Sequence, residues 1–271
     1  MKLQTNLFSN EKILPKRKNN KIVILPPLDI FDSIALLKKF NINPTVTILD
    51  PWYNKGIGGV REDYVNFVTT ILNEISIISD HVFLWGFPET VALFVERIPK
   101  SYKLTCWLTW FYKNNPSVIR GWRSSQQSCL HLSRHGVKLY PENFFNEDQQ
   151  NRFNTNKMRF IPGPSSVLEE PLIVGFVGKN ERTGHPSQKP VKLFEKLLKM
   201  TTKEGDLVYD PMCGSGTSAE ASKNLNLNCI VSDISEEYIL QVENRLNNKR
   251  EKLSNIKKIF SNGTLQNKNK K

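Results

Sequence analysis

Apolar residues recur along this chain first as short runs and then as helical stripes, in alternation. "KIVIL" (21–25), "TVTILD" (45–50), "HVFLWG" (81–86) and "LTCWLTW" (104–110) are continuous apolar runs rich in β-branched and aromatic residues. They predict short buried strands. Between them, "IFDSIALLKKF", "YVNFVTTILNEISIIS" and "PETVALFVERIPK" space their apolar residues at helical intervals. Strand and helix in turn at this spacing predict an α/β fold on a mostly parallel sheet.

From 111 to 164 the rhythm breaks. This stretch is polar, aromatic and rich in Arg and Asn, and it predicts a surface insert outside the sheet core. "PLIVGFVG" (171–178) regains strand character. "VKLFEKLLKMT", "TSAEASKNL" and "SEEYILQVENRLNNKREKL" then predict helices, and "DLVYD" and "NCIVSD" predict strands. Residues 1–20 read as a basic N-terminal arm, and 261–271 as a low-complexity basic tail expected to be disordered.

Charge narrows the partner class. The 271 residues carry a formal net charge of +12, and 39% are hydrophobic. A packed core is feasible, and a basic surface points to a polyanion, with nucleic acid the first candidate. Residues 101–160 hold nine Lys or Arg against three Asp or Glu. Cys106, Cys129, Cys213 and Cys229 are scattered without a CxxC pair, which argues against a disulfide framework or a structural zinc site. No metal site is expected. No apolar stretch approaches membrane-spanning length, so neither secretion nor membrane insertion is expected and a reducing cytoplasm fits.

Three fragments carry chemistry. In "DLVYDPMCGSGTSAEAS" a strand ends at Asp210, Gly214 and Gly216 permit a sharp turn, and Thr217 opens a helix. "NCIVSD" then sets Asp233 at the tip of the next strand, where a carboxylate can accept from ribose hydroxyls. No P-loop lysine follows the glycines, so a nucleoside ligand without phosphates is favoured. In "GHPSQKPVKLFEKLL", Ser187 offers a hydrogen bond and Lys189 a cation, suited to an amino-acid carboxylate. In "ILDPWYN", a strand ends in Asp50, Pro51, Trp52 and Tyr53, a carboxylate flanked by two aromatic rings. Taken singly, each fragment also fits an ordinary strand-end turn or helix start.

Taken together they resemble the amino-methyltransferases of DNA, which make N6-methyladenine or N4-methylcytosine. "DPWYN" is similar to their catalytic D-P-P-Y-N, "DPMCGSGT" to their cofactor motif D-P-F-x-G-S-G-T, and "HPSQKP" to H-P-T-Q-K-P. The order of the motifs matches the circularly permuted beta class. The resemblance spans residues 22–246. Trp52 stands where the family has a second proline, Met212 where it has phenylalanine, and Asp233 where glutamate is more usual.

The resemblance implies a Rossmann-like S-adenosylmethionine-dependent methyltransferase fold, circularly permuted, on a mostly parallel sheet with an antiparallel element. Its catalytic half would be 21–110, its target-recognition insert 111–164 and its cofactor-binding half 165–260. "KIVIL" would supply a front strand to the cofactor half, with Asp29 near the cofactor adenine. Asp29, Ser187, Lys189, Asp210, Pro211, Met212, Gly214, Gly216, Thr217 and Asp233 would bind S-adenosylmethionine. Asp50 and the Pro51 carbonyl would accept from an exocyclic amine. Tyr53 would stack on the flipped-out base, with Trp52 as a second wall. Arg120, Arg123, Arg134, Lys138, Arg152, Lys157 and Arg159 would meet DNA. The implied activity is N6-adenine methylation of double-stranded DNA. N4-cytosine methylation is the alternative, and a binding-only relative a more distant one. A homodimer and a cognate restriction enzyme are further candidate partners.

Overall fold

The computed structural model describes residues 21–55, 58–115 and 121–252, together with Asn255 and Ile259. The expected arm (1–20), the expected tail (261–271) and Arg120 lie outside the described residues.

Eight strands form one sheet. They are β1 (Ile22–Ile24), β2 (Val46–Leu49), β3 (His81–Gly86), β4 (Tyr102–Phe111), β5 (Gln126–Arg134), β6 (Val167–Glu169), β7 (Leu207–Asp210) and β8 (Asn228–Val231). The order across the sheet is β1-β8-β7-β2-β3-β5-β4-β6. Five pairings are parallel, and β5 alone runs antiparallel, to β3 on one side and β4 on the other. The front strand does join the cofactor half: Ile22 pairs with Cys229 and Ile24 with Val231.

The strand residues alternate between two apolar layers. Val23, Leu49, Leu84, Tyr209 and Ile230 face a cluster built with α1 (Ile30–Lys39) and α2 (Tyr64–Ser76). Ile24, Ile48, Trp85, Val208 and Val231 face one built with α5 (Val191–Thr201), α6 (Thr217–Asn224) and α7 (Glu236–Leu246). Burial on both faces explains why the strands read as continuous apolar runs. The short helix α3 (Pro88–Ala92) adds Val91 to the first cluster, whereas α4 (Glu147–Asn154) buries no residue and lies outside both layers. No helix among the described residues is long and apolar enough to cross a membrane.

Two expectations are corrected here. The stretch 111–164 is not wholly outside the sheet, because β5 lies within it and is buried along most of its length. Its alternation was masked by polar residues that find partners inside. Trp107 donates to Ser128 Oγ (3.0 Å), Thr105 and Ser133 share a hydroxyl bond (2.6 Å), and His131 Nε2 meets His81 Nδ1 (3.1 Å). The second correction concerns 171–178, which is a loop. Gly175 and Gly178 have φ of 59° and 65° and turn the chain, leaving Phe176 almost fully exposed. The edge strand is β6, just before it.

Candidate active site

Parallel strands carry their loops to one edge of the sheet, and ligands in such sheets bind beyond the carboxyl ends of the strands. Here Asp50 follows β2, Asp210 ends β7 and Asp233 follows β8. All three line one cavity of about 640 Å³, together with Asp29, Pro51, Trp52, Tyr53, Ser187, Lys189, Pro211, Met212, Gly214 and Thr217. Every catalytic and cofactor residue expected from the sequence, except Gly216, is therefore a wall of the same cavity. Gly216 stands between the wall residues Ser215 and Thr217 as the N-cap of α6.

The glycine turn has little room for side chains. Gly214 has φ +45°, and a Cβ there would stand 2.8 Å from His185 Nε2. Gly216 has φ +72°, and its Cβ would come 2.9 Å from Val242 Cγ2. Asp233 spans the turn: one oxygen accepts from Gly214 N (2.9 Å) and the other from Ser235 N (2.9 Å). Asp210 accepts from Ser218 Oγ (2.5 Å) and Met212 N (3.2 Å). Burial pushes Asp210 up to about 7, against the pull of the Ser218 and Met212 bonds. Burial likewise raises Asp233, against its bonds from the backbone N–H groups of Ser235 and Gly214. Asp29 caps α1, accepting from Phe31 N (2.8 Å), at the cavity rim.

The catalytic motif is held from three directions. Lys189 Nζ lies 2.6 and 2.5 Å from the two Asp50 oxygens and 2.9 Å from the Tyr53 hydroxyl. Tyr53 donates in turn to Gln127 Oε1 (3.0 Å) on β5, and its ring packs on Phe87 at 4.7 Å. Burial works against the Lys189 ammonium, but Asp50 and Tyr53 outweigh it and hold its pKa above the ordinary lysine value. Lys189 is 2% exposed and ion-paired with Asp50, a contact the sequence expectation of a cofactor carboxylate partner does not include. Ser187 is exposed on the cavity wall, its N–H donating to His185 Nδ1 (3.2 Å).

Trp52 is held by other elements. Its ring meets Tyr64 edge-on at 5.3 Å and Phe67 at 5.8 Å, both on α2, and its Nε1 donates to Gly59 O (3.2 Å). The Tyr64 hydroxyl donates to the Trp52 carbonyl (2.8 Å). These contacts tie the ring to the loop's own support. They do not favour the expected role of a second stacking wall.

Several wall or support residues were not anticipated. His185 packs edge-on against Tyr238 at 4.5 Å and covers Gly214. Glu181 anchors the HPSQKP segment, its carboxylate accepting from Val191 N (2.8 Å) and its carbonyl from Gln188 Nε2 (2.7 Å). Gln127 reaches Tyr53 only through the antiparallel β5. The Glu181 pattern is readable in principle, as an acidic residue ahead of a proline-started helix. Gln127 has no local signal, since strand pairing across 74 residues brings it there. No group of His, Cys, Asp and Glu suited to a metal occurs among the described residues.

Known proteins fit this arrangement. The family model N6_N4_Mtase, described as DNA methylase, matches residues 45–244. The Type II methyltransferase M.HpaI of Haemophilus parainfluenzae is 30% identical over 233 residues, 79% of this chain and 72% of that one. M2.DpnII of Streptococcus pneumoniae is 28% identical over 160 residues, so the match spans 58% of this chain and about half (55%) of that relative. Among solved structures, an M1.HpyAVI–SAM complex superposes with a TM-score of 0.63 at 21% identity, covering 83% of this chain and 99% of that one. The cytosine-N4-specific PvuII DNA methyltransferase gives 0.61 at 15% identity, covering 91% and 93%. These two share the fold. With the strand-end carboxylates and the glycine turn in one cavity, and a family match across most of its length, the chain belongs to the N6/N4 DNA methylase family.

Proposed function

We propose that this protein transfers a methyl group from S-adenosylmethionine to the exocyclic N6 amine of adenine in double-stranded DNA. The observation that carries the reading is the shared cavity. Asp50 opens into the space that Gly214, Thr217 and Asp233 also line. The donor set suits this cofactor. The glycine backbone permits close approach, Asp233 keeps lone pairs for ribose hydroxyls, and Asp210 and Asp233 add carboxylates suited to a cationic ligand. When bound, the cofactor supplies an electrophilic methyl on a sulfonium.

The chain's own residues do the rest. The amine of a nucleobase is a weak nucleophile because its lone pair is delocalised into the ring. Asp50 and the Pro51 carbonyl accept from that amine, favour a tetrahedral nitrogen and stabilise the positive charge that builds on it. Holding the amine in line supplies much of the remaining rate. The target leaves the base stack to reach the cavity, and Tyr53 lines its berth. Asp in the first position of the motif favours adenine, since the N4-cytosine relatives more often begin with Ser.

DNA would arrive at the same edge of the sheet. β4 runs parallel to β3, being antiparallel to β5, so the β4–β5 connection opens beside Asp50. That connection carries Arg123 and an almost fully exposed Trp122. The loop after β6 presents Phe176, Lys179 and Arg182 at the same edge. Farther along the insert, Arg152, Lys157 and Arg159 line a smaller cavity with Phe160. Cations meet phosphates and set register, while exposed rings can stack on bases. A cognate restriction enzyme belongs to the same proposal. Mixed-sequence duplex incubated with labelled cofactor, then digested to nucleosides, tests the reading. Label in N6-methyladenine supports it, label in N4-methylcytosine moves the target, and no label rejects transfer.

A further inference from the structure

Lys189 is fastened at both ends. Its ammonium meets both oxygens of Asp50 and the Tyr53 hydroxyl, at 2.6, 2.5 and 2.9 Å. An ammonium has three N–H donors, and these three oxygens take them all. The rings of Tyr53 and Trp85 stand 5.3 and 5.2 Å from Nζ, closing off solvent. At the main-chain end, Thr217 Oγ1 donates to the Lys189 carbonyl at 3.1 Å. Thr217 is the first residue of α6, directly after the glycine turn. One side chain thus ties the catalytic loop to the turn expected to hold the cofactor.

We propose that Lys189 is a positioning residue for methyl transfer, a buried cation that fixes the Asp50 carboxylate and the Tyr53 hydroxyl in their working orientation. The proposal rests on the methyltransferase reading above and reassigns a residue that the family motif would give to the cofactor. A carboxylate has about four lone-pair positions. The ammonium occupies the side facing the protein, so those facing the cavity remain for a base amine. Without it the Asp50 side chain could rotate about its torsions, and a misplacement near 1 Å can cost about 10²-fold in rate. Buried ion pairs contribute little net stability compared with apolar replacements. Stability alone is therefore a poor account of a lysine held at full burial.

Among the described residues, the charged or titratable groups that interact with Asp50 are Lys189, Tyr53, Tyr64, Cys129, His185 and Asp210, and burial keeps the Cys129 thiol protonated. Burial holds His185 toward its neutral form. That leaves Lys189 as the cation beside Asp50 near neutral pH.

The test uses Lys189→Met on a duplex that the wild type methylates. Single-turnover transfer at saturating cofactor should fall by about 10²-fold, with cofactor affinity by calorimetry nearly unchanged. A large loss of cofactor affinity with a normal saturated rate would overturn the proposal and return Lys189 to the cofactor. Asp50→Asn/Lys189→Met removes both charges and covers the case in which the single variant does not fold. Wild-type cofactor affinity in the double variant supports the proposal, and lost affinity overturns it. A wild type that methylates no duplex would count against the methyltransferase reading instead, and the double variant's affinity would still decide Lys189.

Discussion

The His185 ring lies over Gly214 so closely that a Cβ at position 214 would stand 2.8 Å from Nε2. The HPSQKP segment and the glycine turn thus close on each other. Gly214→Ala meets two penalties, the contact with His185 and a φ of +45° that L side chains rarely adopt. The strained backbone costs on the order of 1–3 kcal/mol. S-adenosylmethionine affinity measured by calorimetry should drop by at least tenfold. Adding His185→Ala should recover only part of it, since the φ penalty remains. Full affinity in Gly214→Ala would mean that the turn does not meet the cofactor.

Asp50→Ala should remove most methyl transfer, roughly 10²–10³-fold in single turnover if the carboxylate acts as a preorganised acceptor. Cofactor affinity should persist, because the proposed contact is with the base. The ion pair adds a second consequence. The variant leaves the Lys189 ammonium buried without its carboxylate, and breaking a buried pair costs about 3–5 kcal/mol. A melting temperature several degrees below wild type is expected. Unchanged melting together with near-normal transfer would refute both roles of Asp50.

That second consequence marks where sequence reading stopped. The placement of Asp50, Gly214 and Asp233 at one cavity is legible because each lies in a turn just after a strand, in a local pattern with a physical reason. The front strand was legible because a cofactor half with two strands lacks one. Lys189 is legible as a polar group of the site, but its contact with Asp50 is not. Its ion pair joins residues 139 apart, and local spacing carries no trace of that. β5 was missed for a related reason. Ser128, His131 and Ser133 look solvated until Trp107, His81 and Thr105 are found beside them. The exposed Phe176 shows the converse case: an apolar run interrupted by glycines with positive φ is a loop, however strand-like its letters.

His81 and His131 are a pH-sensitive element of stability. Burial depresses both, His81 to about 4 and His131 to about 3, with His81 lowering His131 further. Their unfolded values lie near 6.5. The unfolded chain therefore takes up protons first as pH falls. The contribution is fully present above pH 6.5 and is lost progressively as pH drops toward the folded values. A loss on the order of a few kcal/mol is expected by pH 4. Replacing the pair together, with His81→Phe and His131→Leu, should flatten the dependence of the urea midpoint between pH 7 and pH 5. An unaltered slope would place the acid sensitivity elsewhere.

Duplex binding should weaken as salt rises, with a log–log slope of roughly −0.9 for each phosphate contact. Arg123→Gln and Arg159→Gln should each lower affinity on all duplexes, and each should flatten that slope by about one unit if it neutralises a phosphate. A variant that relaxes sequence preference without changing the slope would be reading a base edge. Binding indifferent to salt and to both substitutions would exclude 111–164 as the DNA-contacting segment.

Trp52 tests whether the loop needs a brace or the base needs a wall. Its ring leans on Tyr64 and Phe67, and its N–H holds the Gly59 carbonyl. Trp52→Ala should remove these supports and lower stability by roughly 1–3 kcal/mol, given aromatic pairs worth about 0.5–1.5 kcal/mol each beyond burial. A base already flipped has Tyr53 to rest on, so the fluorescence of 2-aminopurine at the target should keep its flipping signal in Trp52→Ala once temperature is lowered to keep the variant folded. Tyr53→Ala should lose that signal, since base stacking on an aromatic side chain is worth roughly 1–3 kcal/mol. Trp52→Pro should keep more transfer than Trp52→Ala, because proline restores by backbone restriction the stiffness that the ring supplies by packing. The opposite pattern, with melting unchanged and the flipping signal lost in both Trp52 variants, would make the ring part of the base pocket and leave the loop held by Asn54 and its bonds to Arg61.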